Sequence, residues 1–149
     1  MKMLKYLFYS FLILCLLVWM YTNSLIGVDP IAKEKLKELR LQMLDRGYTD
    51  SFFVLSGRRW KWDNYLLNQF GGAAKNSQHL QGKAIDIIVL DVNKDGLING
   101  GDVDLVVKVL KQSVIKNKGG IGTYKGQSGF FNRQMVHFDV RGNKARWNR

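Results

Sequence analysis

From Ala84 to Leu90 the chain reads Ala-Ile-Asp-Ile-Ile-Val-Leu, apolar on both faces except for one carboxylate. Such a strand belongs inside a sheet covered on both sides. A carboxylate carried there is costly unless it meets a cationic partner or a metal ion. The neighbouring sequence supplies the cover. Asp29-Pro30 offers an N-cap and a first helical residue. Ile31, Leu36, Leu39, Met43 and Leu44 then recur at helical spacing as far as a stop at Gly47. Asp63 is placed to cap a short helix through Tyr65, Leu66 and Leu67 to Phe70, closed by Gly71-Gly72. Leu105 to Ile115 has the pattern of another amphipathic helix. Phe52–Leu55, Gly119–Tyr124 and Met135–Val140 read as further strands, and Ala73–Gly82 as a polar loop. Helices mixed with non-alternating strands predict an α+β fold, and 149 residues hold one such domain.

The N-terminal residues are of another kind. Lys2 and Lys5 precede Tyr6–Tyr21, an uncharged and almost wholly apolar run. As a helix it spans about 24 Å, against about 30 Å for a bilayer core. Residues 1–22 are therefore expected to be a signal peptide or a membrane anchor, with no small-x-small cleavage site after them, and residues 23–149 an exported domain. Cys15, the only cysteine, lies in the apolar run, so the domain has no disulfide and relies on its core or on metals. Removing Lys2 and Lys5 takes 23 basic residues to 21 against 12 acidic ones, a charge of +9. That charge favours acidic polymers such as those of a cell wall. The basic residues are scattered and form no nucleic-acid module, so nucleic acid is not an expected partner.

Asp86 is the carboxylate in the apolar strand. The chain has two histidines, His79 on the polar loop and His137 in the strand Met135–Val140. Two imidazoles and a carboxylate form a three-ligand set that leaves zinc's fourth position open, the catalytic arrangement. Zinc there acidifies water to a pKa of about 7 and polarises a carbonyl. If no ion binds, Arg141 is the candidate salt-bridge partner of Asp86.

These residues carry a resemblance. Ser77, His79, Gly82, Ala84 and Asp86, in the order Ser-x-His-x-x-Gly-x-Ala-x-Asp, resemble the signature of the zinc D-Ala-D-Ala carboxypeptidases and related murein endopeptidases, which share the hedgehog signalling fold. Ser56-Gly57-Arg58-Arg59, Gly71–Ser77, Gly119–Tyr124, His137–Gly142 and Ala145-Arg146-Trp147 resemble its other segments in the correct order. The resemblance implies a small antiparallel sheet flanked by helices, zinc on His79, Asp86 and His137, and peptidoglycan peptide as substrate. It implies that Arg59 holds a substrate carboxylate or the oxyanion. Many relatives carry an acidic residue three positions before the last histidine; here that position is Gln134. Asp139 becomes the candidate base, on the same strand face as His137 and about 6.7 Å along it. A supporting role to His137 and a ligand role remain alternatives for Asp139. Carboxypeptidase and endopeptidase activities both stay open.

One motif falls outside the resemblance. Asp91–Asp102 follows a calcium-loop pattern, with Asp91, Asn93, Asp95, the Leu97 carbonyl, Asn99 and Asp102 at ligand positions and Gly96 at the turn. It resembles the loop–helix half of a dockerin repeat, and a structural calcium ion is the expectation. An Asx-rich turn without an ion has the same composition. Two rival functions follow: a non-catalytic wall- or partner-binding module of the same fold with structural zinc, favoured by Gln134, and a calcium-dependent adhesion module.

Overall fold

The structure is a computed structural model and describes residues 2–22, 25–69, 73–126 and 134–148. The first helix, α1 (Lys2–Thr22), leaves its described apolar side chains from Leu4 to Val18 exposed. Its uncharged part is shorter than the roughly 20 residues a span needs, and among the described residues no helix is long and apolar enough to cross a membrane. The expected membrane anchor in residues 1–22 is therefore unsupported.

Helix α2 (Pro30–Asp45) starts as its sequence predicts. Asp29 Oδ1 accepts from Ile31 N at 2.8 Å, and Pro30 opens the first turn. The buried stripe is Ala32, Leu36, Leu39 and Met43, while Ile31 and Leu44 face outward. Strand β1 (Phe52–Ser56) leads to α3 (Lys61–Gln69), where Asp63 sits in the first turn rather than at the cap. The expected closure of α3 at Phe70 and Gly71-Gly72 lies outside the described residues. A single 3-10 turn (Gln78–Gln81) interrupts the predicted loop. Ser77 Oγ accepts from His79 N at its start, and Gly82 ends it at φ +69°. A Cβ at Gly82 would lie 2.3 Å from Gly27 O, so glycine is required there.

Strand β2 (Ala84–Val89) is buried at every position, as its composition demands. Helix α4 (Gly100–Val109) begins five residues before the predicted start and continues into one wider turn, Leu110–Val114, closed by Ile115 N donating to Leu110 O. Strands β3 (Gly120–Lys125), β4 (Gln134–Asp139) and β5 (Ala145–Asn148) complete one sheet in the order β1-β2-β4-β3-β5. The β3–β5 pair is parallel, so the sheet is mixed and not wholly antiparallel as expected. The reason is the short return after Asp139, which brings the C-terminal segment alongside the outer edge of β3 in the direction β3 itself runs.

Alternation divides the sheet into two faces. Ile85, Ile87, Val89, Val136, Phe138 and Ile121 join the apolar cluster with α2 and α4. Asp86, His137, Asp139, Gly120 and Gly122 occupy the alternate positions and point to the other face. The register then lines up one row of residues across all five strands: Ser56 opposite Asp86, Asp86 opposite His137, His137 opposite Gly122, and Gly122 opposite Trp147.

Candidate metal and active site

The centre of that row is a cluster of three buried groups. His137 Nδ1 lies 2.7 Å from Asp86 Oδ1, His79 Nε2 lies 3.2 Å from the same oxygen, and the two ring nitrogens are 3.1 Å apart. Ligand atoms about 2.0–2.2 Å from a tetrahedral zinc are separated by about 3.3 Å. The three observed separations are close to the edges of such a face, and the donor set is one zinc accepts. Among the described residues, this is the one group of His, Cys, Asp or Glu side chains that converges tightly enough to hold a metal.

Outer contacts fix which atom of each ring faces the centre. His79 Nδ1 donates to Gly57 O at 2.6 Å, leaving Nε2 as the lone-pair donor. His137 Nε2 donates to Asp139 Oδ2 at 3.2 Å, leaving Nδ1 toward Asp86. Asp139 thus lies against the far nitrogen of His137. Its carboxylate also accepts from Gly120 N at 2.9 Å, Arg141 N at 3.1 Å, and Arg141 Nε and Nη2 at 2.6–3.0 Å. Gly120 is glycine for a packing reason: a Cβ there would fall 2.2 Å from the Asp139 carboxylate.

Electrostatics follow the contacts. Burial alone would raise the Asp86 pKa, but in the metal-free protein the His79 and Arg59 side chains beside it and the contacts of both imidazoles with its carboxylate hold it well below the usual carboxylate range. Asp139 is likewise pushed up by burial, and hydrogen bonds from His137, Arg141 and two backbone amides bring it down overall. Burial lowers the His137 pKa, yet its bonds to Asp139 and Asp86 outweigh that and raise it. Arg59 reaches Asp86 Oδ2 through Nη2, donates through Nε to Ser56 Oγ at 3.0 Å, and donates its backbone N–H to His79 O. The cationic partner of Asp86 is therefore Arg59, while Arg141 belongs to Asp139.

Trp147 is a site residue the motif reading quoted without a role. Its ring lies 5.1 Å from the His137 ring, and its Nε1 donates to Tyr124 OH at 3.1 Å. A Cβ on Gly122 would fall 2.4 Å from Trp147 Nε1, so the absent side chain is what lets the indole approach. Glycine at alternate positions of one strand, 120 and 122, was the available signal for such close approaches.

The family model described as peptidoglycan L,D-endopeptidase MepK matches residues 20–147. The chain belongs to the MepK family. The matched segment takes in the whole cross-strand row, from Ser56 to Trp147. No curated protein matches the chain. Among solved structures, the Serratia marcescens L-Ala D-Glu endopeptidase ChiX is similar at 19% identity, over 82% of this chain and 86% of that one, with a TM-score of 0.46. Membership makes this chain one of a family of peptidases of the cell wall, and the murein endopeptidase resemblance stands on it.

The calcium expectation fares differently. Asp91 Oδ1 and Oδ2 accept from Asp95 N and Gly96 N, Asn93 Oδ1 from Asp95 N, and Asp95 Oδ1 from Leu97 N. Asn99 Oδ1 accepts from Gly101 N, and both Asp102 oxygens are taken, by Val92 N and Asn99 N. The oxygens proposed as calcium ligands close the loop's own backbone, and Asp102, fully buried, serves the capping box of α4. Structural calcium is unsupported, and these contacts are those of an Asx-rich turn.

Proposed function

We propose that this chain is a zinc-dependent endopeptidase that cuts an L,D bond in peptidoglycan peptides outside the cytoplasm. The observation that carries the reading is the convergence of His79 Nε2, Asp86 Oδ1 and His137 Nδ1 within about one tetrahedral face. L,D specificity is taken from the family description, in preference to the carboxypeptidase alternative. Bound there, zinc supplies Lewis acidity toward the scissile carbonyl and acidifies water. The chain's own residues do the positioning. His79 and His137 present single nitrogens because Gly57 O and Asp139 hold the opposite ones. Arg59 holds Asp86 so that Oδ1 faces the histidines, and a guanidinium has further donors with which to meet a substrate oxyanion. We assign Asp139 as the group that orients His137, in place of the general base, because it touches Nε2 and is saturated by Arg141. Residues 1–22 act as an export segment separate from the catalytic domain, consistent with the exposed apolar surface of α1 and with a substrate in the envelope.

The test is digestion of purified peptidoglycan with and without a zinc chelator, read by mass spectrometry of the fragments. Cleavage at an L,D bond that chelation stops, zinc restores and His79→Ala abolishes is the expected result. Fragments that persist through chelation and in His79→Ala would overturn the zinc mechanism. Products cut only at D,D bonds would return the specificity to the alternative reading.

A further inference from the structure

Hydrolysis of a peptide bond has a second proton to place. When the C–N bond breaks, the nitrogen must gain a proton, because an amide anion is too basic to depart. The carboxylates beside the metal site are already engaged. Asp86 meets both histidines and Arg59, and Asp139 meets His137 and Arg141. Strand β3 brings one more group to the same face. Its alternate positions are Gly120, Gly122 and Tyr124, and the two glycines add no side chain. The half-buried Tyr124 phenol is therefore what β3 contributes beside His137. Contacts locate its hydroxyl. Gly122 stands opposite His137 in the register. Trp147 Nε1 lies 2.4 Å from the point a Gly122 Cβ would occupy, and the same nitrogen lies 3.1 Å from Tyr124 OH. The phenol is thus two short contacts from the strand position facing His137, and the indole between them rests 5.1 Å from the His137 ring.

The direction of that hydrogen bond follows from chemistry. An indole nitrogen only donates, so the Tyr124 oxygen accepts, and among the described residues nothing accepts from its own O–H. A phenol held by its oxygen, with its proton uncommitted, is arranged as an acid: the Trp147 N–H would strengthen its bond to the phenolate left behind. We propose that Tyr124 is a further catalytic residue, the acid that protonates the leaving nitrogen of the scissile bond. The inference rests on the proposed peptidase reading. Arg59, at the other end of the row with Asp86 and Ser56, is then left to the carbonyl oxygen. The attacking oxygen enters as hydroxide, its other proton already lost to solvent. As the C–N bond breaks, the Tyr124 proton moves to nitrogen, giving a neutral amine, a carboxylic acid and a phenolate. The new acid then passes its proton to the phenolate, which restores Tyr124 and releases the product as a carboxylate.

The experiment compares two leaving groups on the zinc-loaded full chain. One substrate is a sugar-free stem peptide with its L,D amide bond. The other carries sulfur in place of the scissile nitrogen, a thioester whose thiolate departs without a proton. Tyr124→Phe is expected to lower kcat on the amide by about 100-fold or more while KM and the thioester rate stay within about threefold of wild type. Its zinc affinity in chelator competition and its midpoint in urea stay at the wild-type values. In the metal-free protein, the Trp147 indole N–H resonance, identified by its loss in Trp147→Phe, shifts in Tyr124→Phe because its acceptor has gone. Amide turnover unchanged in Tyr124→Phe, equal losses on amide and thioester, or a loss that tracks weakened zinc binding would overturn the assignment and leave the peptidase reading intact. An indole resonance that does not move would remove the contact on which the assignment stands. A wild type that cleaves neither substrate overturns the peptidase reading and the assignment with it.

Discussion

At the scale of single residues, His137 is the group whose charge state matters most. Its raised pKa means that the metal-free protein keeps this ring protonated to higher pH than an ordinary histidine. The sign follows from linkage. Its contribution to metal-free stability is full below about pH 6.5 and is lost as the pH rises through the raised value. A metal needs the neutral ring, so apparent zinc affinity should rise with pH across that window, with release of a proton on binding. Titration calorimetry in buffers of different ionisation enthalpy measures that proton; binding that is flat between pH 6 and 8 would contradict the assignment of Nδ1 as a ligand. Asp139 runs the opposite way. Its pKa is depressed, so the stabilisation it brings is present above about pH 4 and fades as the pH falls through the folded value. Replacing it with Asn removes the charged partner of Arg141 and His137 together. We expect Asp139→Asn to weaken zinc binding by about 10–100-fold in chelator competition, with the fold kept and zinc affinity restored in part by Asp139→Glu. Gly122→Ala is the third case. Its methyl group needs the space of the Trp147 ring, and a cost of about 1–3 kcal/mol is expected for overpacking of this kind. Chemical denaturation reads that cost, and relief by Trp147→Ala in the double variant is the check that the two residues collide.

At the scale of elements, the loop and helix that begin at Asp91 are held by side chains doing backbone work. Asn99→Ala opens the capping box of α4 and should cost about 1 kcal/mol, visible as a lower midpoint in urea. Melting curves with and without millimolar calcium are expected to coincide; a rise of several degrees on adding calcium would restore the ion that the sequence pattern suggested. The contrast with β2 shows what a linear pattern encodes. In Ala84–Val89 the apolar run states burial directly, and the one carboxylate states that a partner must exist, so the strand and its partnered carboxylate were both legible. In Asp91–Asp102 the same residue types serve a calcium ion or a tight turn equally well, because both need oxygens aimed inward from alternate positions. Strand β5 escaped notice for another reason. Ala145–Asn148 is short and polar, and its place in the sheet comes from pairing with β3, a relation between distant segments. The partners of Arg59 and Arg141 were hidden likewise, since spacing along the chain does not say which carboxylate a long cationic side chain reaches.

At the scale of the whole molecule, the described apolar side chains of α1 are exposed from Leu4 to Val18. A chain starting at residue 25 should therefore melt within a degree or two of the full protein when both carry zinc, and cleave sugar-free peptide at the same rate. A large loss of stability on truncation would show that α1 covers the core. The family and the convergent His79, Asp86 and His137 were readable because ordered motifs span the chain, whereas the mixed sheet emerges only in three dimensions. The cross-strand row carries a mechanical consequence. Ser56 and Trp147 sit on the two border strands, and the candidate metal donors of the row sit on the inner ones. Breathing at either border can loosen the grip on Arg59 or on the face of His137 while the inner ladder keeps Asp86 and His137 in register. The site is thus built like a vice, with a rigid bed and two adjustable jaws, and mutations that soften the jaws should tune turnover before they release the ion.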